Sequence, residues 1–193
     1  MAEPVPQQHS LRRLFQTVTE RSFLERLGWP DWVVVDYLSN LLVECVHAEH
    51  LYPAHGVTGQ RLVELVDMLQ EAERRGRYES PERERDLHRQ IGDYALLMTG
   101  LFAHDARRRH SAVRVCSEGG VDAVMIGKRA YRLVADRSQE SVRDQRIRQA
   151  VTALFRQLSV QFERCVEGLG YVRQELVRLQ ASDDPRLRRL LTS

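Results

Sequence analysis

Asp36, Asn40, Glu44, His47 and His50 recur at helical spacing through "VVVDYLSNLLVECVHAEH", residues 33–50. At about 100° per residue they share roughly a third of a helix circumference. Val34, Leu38, Leu41, Leu42, Cys45 and Val46 occupy the other side. Carboxylates and imidazoles gathered in this way can ligate a divalent metal or relay protons. The solvated face of an ordinary amphipathic helix produces the same pattern. Composition sets this stretch apart: residues 27–60 contain neither arginine nor lysine, where the chain average would place about five.

Glu44 and His47 form a Glu-x-x-His step, a spacing that turns a carboxylate and an imidazole towards one ion in carboxylate-bridged di-iron bundles. The nearest second pair is Glu84 with His88, at four-residue spacing, so no family follows from it. The expected metal set is Glu44 and His47, completed from His50, Glu84, His88 or Asp93, with iron, manganese or zinc as the ion. If iron were held, oxygen-dependent oxidation is the reaction class to test. No catalytic residue is assigned.

Asp93 opens "DYALLMTGLF", which is apolar nearly all round, and a charge at that edge needs a partner. Lys128, the one lysine among 29 basic residues, falls near the centre of a stripe of Val121, Val124, Met125, Tyr131 and Ala135. The expectation is a partly buried ammonium paired with Asp93, Asp36 or Glu44, forming with Asn40 a buried polar network. Gly92, Gly100, Gly127, Gly168 and Gly170 interrupt helical patterns at about 1 kcal/mol each. Close helix contact or room for a bound molecule would offset that.

The elements that must carry these residues are all helices. Ser10 caps a first helix that ends at Gly28 and Pro30, and a second runs from Pro30 and Asp31 to about His50. Leu62, Leu65, Val66 and Leu69 mark a third. Ser80 and Pro81 start a fourth, which ends near Ala103, and a fifth follows "SEGG". From Ile147 an apolar repeat of three and four predicts a long helix that bends at Gly168 and Gly170. No segment alternates as a half-buried strand would. The sequence predicts an all-α, single-domain bundle of about six helices over residues 10–180, with a flexible tail at 1–9 and a short basic amphipathic tail at 181–193.

Several function classes fall away on composition. The net charge of +2 comes from 29 basic and 27 acidic residues mixed along the chain, without the basic field or aromatic platform that nucleic acid requires. The longest apolar stretch, "YALLMTGLFA", is half of the ~20 residues of a membrane span. The first residues lack a signal-peptide pattern. Cys45, Cys116 and Cys165 are odd in number and distant in sequence, which fits a reducing cytoplasm. Gly127-Lys128 has no P-loop spacing around it, and no nucleophile elbow is present.

The leading functional reading is a non-catalytic helical-bundle accessory or regulatory protein that acts through a protein partner or self-association. The alternative is a bundle that binds a metal or small molecule at the 36–50 helix. The two differ in whether the stripe from Asp36 to His50 faces inward.

Overall fold

A computed structural model describes residues 7–48, 80–102 and 122–179. Among them are six α-helices, one π turn and no strand, so the chain is all-α. Its Cα framework divides into two compact units, Met1–Gly56 with Gly168–Ser193, and Val57–Glu167.

In the first unit, α1 (Gln7–Arg21) passes into a π turn (Ser22–Arg26), and α2 (Trp32–Ala48) follows. Leu11, Phe15 and Val18 recur at helical spacing and are buried. The helix already begins at Gln7, ahead of the Ser10 expected to cap it. Gly28 adopts φ 61°, the left-handed conformation that ends helices at glycine without a Cβ clash. Trp29 then folds back: its amide donates to the Phe23 carbonyl at 2.9 Å, and the two rings lie 5.9 Å apart. Asp31 caps α2, with its Oδ1 accepting from the amides of Val33 and Val34 at 3.1 Å each. Val34, Val35, Leu38, Leu41, Leu42 and Val46 turn inward.

The second unit contains α3 (Pro81–Gly100), α4 (Ala123–Ser141), α5 (Gln145–Val160) and the start of α6 (Phe162–Arg178). Ser80 holds an extended N-cap conformation with Pro81 in the first turn of α3. Asp122 and Asp144 cap α4 and α5 through their side chains. Three bonds tie the antiparallel pair α4 and α5: the Ser159 hydroxyl donates to the Lys128 carbonyl at 2.8 Å, Thr152 to that of Ala135 at 3.5 Å, and Arg148 Nη1 to that of Gln139 at 3.4 Å. Tyr131 sits at the centre, with its ring 5.6 Å from Phe155 and 5.9 Å from Phe162.

The expected long C-terminal helix consists of α5 and α6 in tandem, interrupted at Gln161 rather than at a glycine. Gly168 has a different use. A Cβ there would strike the Phe23 ring, just as one at Gly92 would meet Tyr131 and one at Gly127 would meet Phe162. These three glycines are notches filled by aromatic rings of the protein itself, the first of the two explanations offered for them. Gly170 has open space around it. No helix among the described residues is long and apolar enough to cross a membrane. Leu62, Leu65, Val66 and Leu69, Cys116 and the 181–193 tail lie outside the described residues.

Candidate functional site

From Asp36 to Glu44 the stripe on α2 points outward. Asp36 and Glu44 are exposed and Asn40 is half-buried. Asn40 donates from Nδ2 to Asp36 Oδ2 at 3.2 Å, a contact between neighbours on the helix surface. His47 lies in the last turn of α2, and His50 falls outside the described residues. Among the described residues no three His, Cys, Asp or Glu side chains come together in a group able to hold a metal.

This outward face also carries large apolar groups. Trp32 is 58% exposed and Val33 is 61% exposed. Val33 lies on the same side of the wheel as Asp36, Tyr37, Asn40 and Glu44, at spacings of three, four, seven and eleven. Trp32 flanks it, one turn before Asp36. Both side chains leave the core because Val34, Val35 and Leu38 define the buried side. Sequence reasoning assigned the polar residues to this stripe and overlooked the two apolar ones, although the same periodicity contained them.

The other candidate residues lie in the second unit, in a different arrangement from the one expected. Lys128 is 31% exposed and pairs with Glu163 on α6, Nζ to Oε1 at 2.7 Å. It does not reach Asp93. The buried face of α4 is Ala123, Gly127, Ala130, Tyr131, Val134, Ala135 and Ser138, which keeps Tyr131 and Ala135 of the expected stripe, and Met125 is 63% exposed. The apolar stripe is therefore rotated from the expected one, and Lys128 stands at its edge. The Lys128 ammonium, aided by the backbone amide of Glu163, holds the Glu163 carboxyl below its ordinary range.

Asp93 is served by Tyr131, whose hydroxyl donates to Oδ1 at 2.8 Å. Arg89 Nε stands 4.0 Å from Oδ2. The expected buried network thus resolves into separate pairs: Asp36 with Asn40 at the surface, Asp93 with Tyr131, and Lys128 with Glu163. Spacing within one helix encodes the first pair, whereas Tyr131 and Glu163 lie on different helices from Asp93 and Lys128 and are not encoded by it.

Glu84 and His88 do come together on α3. His88 Nε2 stands 3.8 Å from Glu84 Oε1, beyond hydrogen-bond range. Arg137 on α4 takes the carboxylate instead: its Nη2 donates to Oε1 at 3.1 Å, and its Nε lies 3.1 Å from Oε2. His88 is buried, and its Nδ1 has no hydrogen-bond partner. Burial holds the imidazole below its usual pKa, Glu84 opposes this, and Arg137 and Arg129 reinforce it. The cluster is an inter-helix clamp beside a buried histidine, two helix turns from the N-terminus of α3. No family model, curated protein or solved structure matches the chain.

Proposed function

We propose that this chain is a helical-bundle accessory or regulatory protein that works by association, with the outward face of α2 as its contact surface. The observation that carries the reading is Trp32, a tryptophan more than half exposed beside the equally exposed Val33. Tryptophan is enriched among the residues that dominate binding energy at interfaces. Its surroundings support the same view. The α2 face lacks the arginine that serves other helices of this chain, and carries Asp36 and Glu44 instead. Two carboxylates and no basic side chain give the face a single sign of charge, which favours a partner of the opposite sign. A cytoplasmic setting suits the cysteine usage.

Photo-crosslinking tests this reading. A benzophenone side chain replaces Val33, and in a control protein it replaces Arg83, which is also exposed. Irradiation in the source cells is expected to give an adduct of defined mass and fixed stoichiometry from position 33 that disappears with Trp32→Ala. Equal labelling from both positions, or adducts indifferent to Trp32→Ala, would overturn it.

A further inference from the structure

We infer that the partner of the α2 face is a second copy of this chain, which presents the outward face of its α5. This rests on the reading of α2 as an association surface, and names what it binds.

The two helices have opposite charge and matched layout. From residue 32 to residue 48, α2 contains Asp36 and Glu44 and no arginine or lysine. From residue 145 to residue 160, α5 contains Arg146, Arg148 and Arg156 and no acid. Arg146 and Arg156 are exposed, as are Asp36 and Glu44. Each face also has an exposed aliphatic residue near one end, Val33 at 61% and Val160 at 66%.

On α5, Arg146, Ala153, Arg156 and Val160 are all exposed and lie within about 80° of arc. The α2 stripe has a similar width. Such faces can lie along one another as helices do when their ridges interdigitate. With Val33 placed against Val160, the two helices run antiparallel. At 1.5 Å per residue, Asp36 and Glu44 then fall about 5 and 17 Å from the valine pair, and Arg156 and Arg146 about 6 and 21 Å. The offsets are within the reach of an arginine side chain. Asp36 meets Arg156, and Glu44 meets Arg146.

The division of labour follows from magnitudes. Exposed ion pairs contribute little net stability, so Trp32 and the valines supply the adhesion. The charges select the partner and its direction, since like charges at these positions would repel. Association should accordingly weaken as salt screens the charges.

Charge reversal with restoration decides the matter, read by sedimentation equilibrium at low and high salt on the full chain. Wild type is expected to self-associate. Asp36→Arg with Glu44→Arg, and separately Arg146→Glu with Arg156→Glu, should each weaken this by about tenfold or more. The quadruple variant should recover it, and an equimolar mixture of the two double variants should form a mixed complex. Circular dichroism verifies that each variant is folded. A monomeric wild type, or self-association that the reversals leave unchanged, would overturn the second-copy assignment. A Trp32-dependent adduct with a different protein in the crosslinking experiment would leave α2 as an association surface and remove only its proposed occupant. Loss of that adduct as well would remove both.

Discussion

The Tyr131 hydroxyl donates to Asp93 Oδ1 at 2.8 Å across the α3 and α4 contact, while the ring of the same tyrosine fills the notch at Gly92. One side chain therefore fixes the spacing of two helices by shape and answers a largely buried carboxylate by hydrogen bonding. Tyr131→Phe retains the ring and removes the donor. Its expected cost is about 1.5–3 kcal/mol, the range for a hydrogen bond to a charged group. Urea denaturation measures it. An unchanged midpoint would mean that the bond has no net worth.

Glycine replacements should separate in sign. At Gly92 a Cβ would come within 2.5 Å of the Tyr131 ring, so Gly92→Ala is expected to destabilise by about 1–3 kcal/mol through overpacking. Gly170 has nothing within 4 Å of the corresponding position, and Gly170→Ala should stabilise by about 1 kcal/mol through helix propensity. Thermal melts of the two variants should therefore move in opposite directions.

His88 makes stability depend on pH. Burial depresses its folded pKa below the ordinary 6.5, with Glu84 opposing and Arg137 and Arg129 adding to the depression. The unfolded chain therefore binds the proton more readily. The stabilising contribution is whole above about pH 6.5 and is lost as pH falls through the unfolded value towards the lower folded one. Between pH 7 and 5, the urea midpoint of wild type should fall more steeply than that of His88→Leu. Parallel declines would remove His88 as the cause. Because Glu84 raises the histidine pKa, Glu84→Gln should depress it further, as followed by the imidazole Cε1 proton in NMR titration.

Arg26 should resist replacement by lysine. Its guanidinium lies 4.1 Å from the centroid of the Tyr171 ring and donates from Nη2 to Gln174 Oε1 at 3.0 Å. A planar fork is required to stack and donate together. Arg26→Lys is expected to lose most of what Arg26→Ala loses, about 0.5–1 kcal/mol for an exposed stack. Full retention of stability by lysine would show that charge alone matters.

Helical periodicity made much of the fold legible. The Asp31 start of α2, the Ser80 and Pro81 start of α3, and the glycine after the first helical segment are local chemistry, and the structure has them there. The break at Gln161 was not legible, because neither glycine nor proline marks it and backbone bonding continues past it, Cys165 to Gln161 at 3.0 Å. The glycine notches were legible only as anomalies. A sequence reveals that Gly127 is costly, but naming Phe162 as the ring that fills it requires the packed structure.

The candidate site was read in part for the same reason. Asp36, Asn40 and Glu44 were placed on one face correctly, but whether that face is wet depends on where Val34 and Leu38 go. Lys128 is partly buried as expected, but its expected partner follows from placing Met125 in the core. With Met125 at the surface the buried arc turns towards Gly127 and Tyr131, and Lys128 meets Glu163 instead of Asp93. Nothing in the sequence sets Arg137 apart among so many arginines.

The first unit sets Trp29 and Trp32 three residues apart, the former 9% and the latter 58% exposed. They are the only tryptophans in the chain. Their fluorescence therefore separates into two channels: a blue-shifted emission from Trp29, shielded beside Phe23, and a red-shifted emission from Trp32 open to collisional quenchers. Unfolding shifts the first, while occupancy of the α2 face protects the second from iodide. A single unlabelled sample thus reports, at two wavelengths, whether the protein is folded and whether it is engaged.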